Sequence, residues 1–347
     1  MHRGGAAYVR VSTAIAQVGA GGSVTLVGTV PEPSRQAIDR VQPTQACRVC
    51  GVALPGSPSI RGSDRLLGSP GQFAVHTCTA CGAGCTLPAL TAAELASFYG
   101  RGYASHEVAS HGVVARIVGA AKRAQLQAML RVAPFSAAVG GEPGRALDVG
   151  CGRGDLADAL QTRGWQVAGI EPSERAAAAA RLRGVEIIGS TLDTATLPQD
   201  GYDLVVFRHS LEHLPDPVAD LRRVRGALAP GGRVVISVPN FGSWQRARFG
   251  ADWFHLDLPR HRVHFTAWSL AAALRAAGLT LRMQSTSTSA LGLPASLQYA
   301  LVHRCLAPSG TRFRASAAVC LALFGLTWLT DRVGGELDTL HVVATRD

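Results

Sequence analysis

From Arg145 onward the sequence alternates short apolar runs with amphipathic ones, and three glycines mark the first switch: "ALDVGCGRGDLADAL", Ala146 to Leu160. The runs "ALDVG", "QVAGIE", "VEIIGS", "YDLVVFR" and "RVVISVPN" read as buried strands. Between them "DLADALQTRG", "PSERAAAAARLRG" and "PVADLRRVRGALAPGG" read as helices, the second with Pro172 in its first turn and Gly184 at its end. Regular alternation of this kind buries both faces of a parallel sheet under helices. Right-handed crossovers then bring every strand's carboxyl end to one edge, where ligands bind. Residues 266–278 predict a further helix, "LTLRMQSTS" a sixth strand and "LHVVATR" a seventh.

The glycine turn narrows the ligand. A dinucleotide fingerprint needs Gly or Ala at the sixth position from Gly150, where this chain has Asp155. The pattern is instead Gly150, Gly152, Gly154, preceded by Asp148. No Gly-Lys-Ser/Thr follows, which excludes a phosphate-cradling P-loop. The second strand ends at Glu171, about twenty residues on, where a carboxylate accepts from both hydroxyls of a ribose.

With these residues, the segment 145–240 resembles the class I S-adenosylmethionine-dependent methyltransferases. "LDVGCGRGDLA", "GIEPS", "YDLVVFRHSLEHLPDP" and "LAPGGRVVISVPN" follow the order of that family's motifs. The resemblance implies an α/β, Rossmann-like seven-stranded methyltransferase sheet, mostly parallel, whose last strand runs antiparallel between the fifth and sixth. It also implies that Asp148 meets the ammonium end of S-adenosylmethionine, and that Gly150, Gly152 and Gly154 let the main chain approach it. Glu171 would take the ribose, Asp193 would border the adenine, and Arg208 and His209 would lie beside the methyl group.

"CRVCG" and "CTACG" place Cys47, Cys50, Cys78 and Cys81 as two C-x2-C pairs separated by 27 residues. Four thiolates on two tight turns suit a structural tetrahedral zinc, and the glycine after each pair eases its turn. The spacer exceeds that of common zinc ribbons, so a loop must intervene. Cys85, nearby, reads as a bystander. Thr91 and Glu94 form a capping-box pattern for a helix, and 112–133 has helical periodicity. Pro88, Thr91, Glu94, Leu95, Phe98, Tyr99 and Tyr103, with the cysteine pairs, resemble a bacterial methyltransferase group with a small N-terminal zinc-binding module. Its members act on sugars, nucleotide-sugars, polysaccharide precursors and natural products.

Methyl transfer to a hydroxyl needs a base within reach. "WFHLDLPRHRVHFT" supplies His255, Asp257, His261 and His264, and "PRHRVHFT" resembles a loop of the same group near its active-site mouth. His261 is the first candidate base, followed by His209 and His213. The spacing of 255, 257, 261 and 264 matches no known ligand set, so a catalytic metal is not expected there.

The expected organisation is a disordered extension (1–43), the zinc-binding module (44–90), a helical linker or cap (91–144) and the methyltransferase domain (145–347) with a helical insertion at 290–335. Within that insertion "ASAAVCLALFGLTWLT" is short for a membrane span and reads as a buried or lid helix. Contact of 316–330 with a membrane surface is the alternative, and Arg312, Arg314 and Arg332 flank the run. The net charge of +10 is carried by arginine beside a single lysine, Lys122. It leaves phosphate-bearing or lipid-linked substrates open. Thiols in metal-type spacing suit a reducing, cytoplasmic setting. An RNA methyltransferase gripping nucleic acid with the zinc module is the competing reading. Against it, "RHSLEH" replaces the Asn/Asp-Pro-Pro-aromatic motif of many base-methylating enzymes. A binding protein on a degenerate fold is opposed by the intact glycine turn and Glu171.

Overall fold

The computed structural model describes residues 45–99, 120, 123–289, 291–301 and 336–346 in full, and Tyr8–Val11 (β1), Ala14–Val18 (β2), Val24–Val27 (β3) and position 302 as backbone. Where the sequence reading expects a disordered extension, β1, β2 and β3 pair as an antiparallel meander. Their β-branched and alternating apolar residues favour a pleated pairing.

Seven strands form the main sheet: Arg145–Val149 (β7), Gln166–Ile170 (β8), Glu186–Gly189 (β9), Tyr202–Arg208 (β10), Leu228–Pro239 (β11), Thr280–Ser287 (β13) and Thr339–Thr345 (β14). Their order is β13-β14-β11-β10-β7-β8-β9. β7 to β11 pair in parallel, whereas β14 runs antiparallel to both β11 and β13. The last strand, β14, runs antiparallel between the fifth (β11) and the sixth (β13), as the resemblance implied. Along β10, Val205 and Phe207 enter one core while Leu204 and Val206 enter the other, so both faces are buried.

The helices Asp155–Gln161 (α4), Glu174–Arg181 (α5), Pro217–Ala227 (α6) and Ala267–Ala276 (α8) cover these faces. Two boundaries differ from the sequence reading. Helix α6 stops at Ala227, and "LAPGG" opens β11, with Leu228 opposite Tyr202. Pro230 lacks the N–H a helix needs and Gly231 has φ +77°, so the helix cannot continue. Helix α5 starts two residues later than read, at Glu174: Ser173 is its N-cap, accepting from Ala176 N–H, and Pro172 lies outside the first turn.

N-terminal to the sheet, Ile60–Gly62 (β4), Phe73–Thr77 (β5) and Gly84–Leu87 (β6) form a small antiparallel sheet. A two-residue strand from the segment between β11 and β13, Val263–His264 (β12), joins its edge beside β6. The module is thus stitched to the rest of the chain. Cys47, Val49, Cys78, Cys81, Ala83 and Cys85 share one core with Leu211, Val263, Phe265 and the sheet residues.

The expected helix at Thr91 is Ala92–Ala96 (α1), with Thr91 and Glu94 forming the capping box. Of the run 112–133, position 120 and residues 123–129 (α2) are helical among the described residues, and Phe135–Val139 (α3) follows. After the short helix Trp244–Phe249 (α7), the chain enters the histidine-bearing loop. Of the insertion, Gly292–Val302 (α9) is helical, and 303–335, with the apolar run and Arg312, Arg314 and Arg332, lies outside the described residues. No helix among the described residues is long and apolar enough to cross a membrane.

Candidate active site

The glycine turn leaves β7 at the sheet's ligand edge. Gly150, Gly152 and Gly154 all have positive φ (+77°, +56° and +78°), a region costly to residues bearing a Cβ. A Cβ on Gly150 would lie 2.7 Å from Ser210 Cβ, so the turn is packed directly against the segment that follows β10. The N–H groups of Gly150 and Cys151 donate to Ile170 O at 2.8 and 3.1 Å, tying the turn to the end of β8. Glu171 completes the tie: its Oε2 accepts from Gly152 N–H and its Oε1 from Ser173 N–H, both at 2.8 Å. Burial raises the Glu171 pKa, and these two N–H donors oppose the rise.

Asp148, at 2% exposure, stands beneath the turn. Burial pushes its pKa up to about 7, against the nearby Arg208 cation and with help from Glu171. Of the residues assigned to the cofactor, Asp148, Gly150, Gly152, Gly154, Glu171 and Arg208 thus come together. Asp193 stands apart from this group of contacts, its exposed carboxylate paired with Arg223 at 3.0 Å.

Beyond β10, the chain turns through His209, a non-glycine residue at φ +53° whose N–H donates to Ser237 O at 2.8 Å. A single 3-10 turn, Leu211–His213, then carries Glu212 and His213 inward. The loop after α7 delivers His261 to the same place. Glu212 is 1% exposed and neither carboxylate oxygen has a hydrogen-bond partner. Burial pushes its pKa up to about 7. His209 Nδ1 lies 3.6 Å and His261 Nε2 3.8 Å from Glu212 Oε1, and the His213 and His261 rings meet edge to face at 4.7 Å.

His261 Nδ1 is 2.9 Å from His255 O, an atom that only accepts. Nδ1 therefore carries the proton and Nε2 the lone pair, facing Glu212 and, at 3.8 Å, Asp257 Oδ2. Burial and the neighbouring His213 and His264 hold His261 well below the usual histidine pKa, so it is neutral. Tyr99 Oη lies 2.9 Å from His213 Nδ1, whose other neighbour is Arg260 O at 3.1 Å.

The three candidate bases His261, His213 and His209 therefore do converge, around a carboxylate the sequence reading did not select. The available signal was the acid directly before His213 in the apolar setting "SLEHL". His255 instead faces Asp338 at 3.3 Å, and His264 lies 3.0 Å from Thr86 Oγ1. Glu212, His213 and His261 also place their ligand atoms within 4.8 Å of one another.

The two cysteine turns are near copies. Cys47 N–H donates to Val52 O and Gly51 N–H to Cys47 O, at 2.8 and 2.9 Å; Cys78 N–H donates to Ala83 O and Gly82 N–H to Cys78 O at the same two distances. Gly51 and Gly82 have φ +73° and +71°. The four sulfurs lie within 4.8 Å of one another, with Cys47–Cys81 and Cys50–Cys78 contacts of 3.5 Å, and the thiols are free. Metal–sulfur bonds of about 2.3 Å in a tetrahedron set sulfurs about 3.8 Å apart, so the donor set fits zinc. The intervening loop is β4, a turn built on Asp64, and β5.

Strand order and the reversed last strand are those of an α/β methyltransferase fold, and the glycine turn and terminal acid lie at its ligand edge. Residues 120–284 match the family model described as a methyltransferase domain. The chain is 34% identical over 154 residues to the ubiquinone biosynthesis O-methyltransferase of Aeromonas salmonicida, covering 41% of this chain and 65% of that protein. It is 37% identical over 149 residues to the enzyme of the same name from Bordetella bronchiseptica, covering 39% and 61%. The chain thus spans slightly under two thirds of the length of these relatives. Among solved structures, an S-adenosylmethionine-dependent methyltransferase from Mesorhizobium loti is similar with a TM-score of 0.43 at 20% identity, over 62% of this chain and 98% of that one.

Proposed function

We propose that this protein transfers a methyl group from S-adenosylmethionine to a hydroxyl of a small-molecule acceptor. The observation that carries the reading is the packing of Gly150 against Ser210. It sets the donor turn beside the turn that bears the buried carboxylate of Glu212 and the histidines around it. When bound, the donor supplies a methyl group made electrophilic by its sulfonium. Asp148 and Glu171 hold its ammonium and ribose ends, while the bare turn admits it against main chain. His261 Nε2 would take the hydroxyl proton as the acceptor oxygen bonds to the methyl carbon and the sulfur–methyl bond breaks, its electron pair returning to sulfur so that the donor leaves as the neutral demethylated thioether. Glu212 stabilises the resulting imidazolium, and His209, at the mouth, orients the acceptor. That the relatives are named O-methyltransferases supports oxygen as the acceptor atom. Sugars, nucleotide-sugars, polysaccharide precursors and natural products are the acceptor classes to try first.

The spacing of Glu212, His213 and His261 supports a second reading of the same cluster, as the holder of a divalent cation that would bind the acceptor oxygens. The four cysteines would hold a structural zinc, which would stabilise the module and take no part in the chemistry. The test is a methylation assay with labelled donor against phenols, nucleotide-sugars, lipid-linked sugars and RNA, with and without Mg2+. Label in a small hydroxylated acceptor supports the reading. Label only in RNA, with binding that falls steeply with salt, overturns it. Dependence on Mg2+ that chelation abolishes favours the cation reading over the base.

A further inference from the structure

The segment Asp257–His264 contains the candidate base, and the groups that fix its position belong to the cysteine module. β12 pairs antiparallel with β6, Val263 opposite Cys85 and His264 opposite Gly84. One residue on, Thr86 N–H donates to Arg262 O at 3.0 Å. Thr86 Oγ1 sits 2.6 Å from His261 O and 3.0 Å from His264 Nε2. A hydroxyl has one proton, and His261 O can only accept, so Thr86 donates there and accepts from His264 Nε2–H. Thr86 is 3% exposed, so no water replaces it without rearrangement.

A second clamp acts on the residue before the base. The Arg260 guanidinium is fully buried. Its two terminal nitrogens donate to Asp64 at 3.1 and 2.7 Å, one of them also to Phe98 O at 2.8 Å, and Nε donates to Asp257 at 2.9 Å. Asp64 is itself fixed by the N–H groups of Leu66 and Leu67, both at 3.0 Å. A buried guanidinium shared between two carboxylates holds one geometry, because any other leaves a buried charge unpaired.

We propose that Thr86 and Asp64 are positioning residues for methyl transfer: the cysteine module holds the backbone of residues 260–262 so that His261 Nε2 meets the acceptor. This rests on His261 being the base. Neither residue touches the donor turn in any contact the structure shows, so their loss lowers the rate of transfer and leaves donor binding intact. A 1 Å displacement of a catalytic group is enough to cost about 100-fold in rate.

The test compares Thr86→Val, Thr86→Ser, Asp64→Asn and His261→Ala in the whole 347-residue chain, by donor titration calorimetry and steady-state kinetics with the acceptor that the methylation assay identifies. Thr86→Val is expected to lower kcat at least tenfold, with donor affinity within twofold of the parent, and Thr86→Ser to restore kcat. Asp64→Asn, which keeps Asp257 on Arg260, is the second readout and is expected to lower kcat with donor affinity unchanged. Parent-like kcat in Thr86→Val beside an inactive His261→Ala overturns the positioning role and leaves the base in place. Equal loss of donor affinity and kcat in Thr86→Val and Asp64→Asn also overturns it, since that marks general destabilisation. An active His261→Ala removes the base assignment and this proposal with it.

Discussion

Gly152 N–H donates to Glu171 Oε2 at 2.8 Å, so the acid at the tip of the second strand braces the turn at the tip of the first. The same carboxylate is the group that would accept from ribose hydroxyls, and donor binding must therefore share or exchange this contact. Glu171→Ala is expected to weaken donor binding by about 10- to 100-fold, the worth of hydrogen bonds to a charged acceptor. Titration calorimetry with S-adenosylmethionine and its demethylated product measures this, and unchanged affinity would contradict the site.

Gly150 tolerates no side chain. Its φ of +77° alone costs an alanine about 1–2 kcal/mol, and the added Cβ would stand 2.7 Å from Ser210 Cβ. Gly150→Ala is expected to lower the melting temperature and to weaken donor binding more than tenfold. Melts with and without saturating donor separate the two effects, because the donor-induced rise in Tm should shrink.

Asp148 gives donor binding a pH dependence. Its folded pKa near 7 lies above the unfolded value, so the folded state holds an extra proton between about pH 4 and 7. This contribution to stability is present at low pH and is lost as pH rises to 7. Donor affinity runs the other way, because only the carboxylate attracts an ammonium. Calorimetry from pH 5.5 to 8.5 should show affinity rising up to pH 7 and flattening above it. Asp148→Asn should bind weakly at every pH without that slope.

The buried carboxylate and its histidine are expected to govern chemistry and not donor capture. His261→Ala should lower kcat by about 100- to 10,000-fold, the range for a lost general base. Glu212→Gln removes the negative charge beside His261 and should also lower kcat. Single-turnover methylation of the identified acceptor, with donor affinity measured in parallel, tests both; weakened donor binding with an unchanged chemical rate would count against this division of roles.

The cysteine cluster predicts one zinc per chain by elemental analysis. Strong chelation or Cys78→Ser should lower the melting temperature, and zinc should restore the chelated protein. Full thermal stability of a metal-free sample would refute structural zinc.

What was legible in the sequence was whatever depends on neighbours along the chain. The strand–helix alternation, the glycine turn with Glu171, the capping box at Thr91 and the twin cysteine turns each rest on backbone preferences or patterns within a few residues. The helix boundary at Ala227 is not visible in the amphipathic pattern, which continues into residues whose backbone, at Pro230 and Gly231, ends the helix. Only the tertiary structure brought Glu212, His213 and His261 together and set Thr86 and Asp64 against the loop that carries the base. Those contacts join residues 48 to 196 positions apart in the chain, counting from His261 to His213 and from Arg260 to Asp64. No local periodicity records them, since what pairs a buried carboxylate, imidazole or guanidinium with its partner is the cost of leaving it alone out of water.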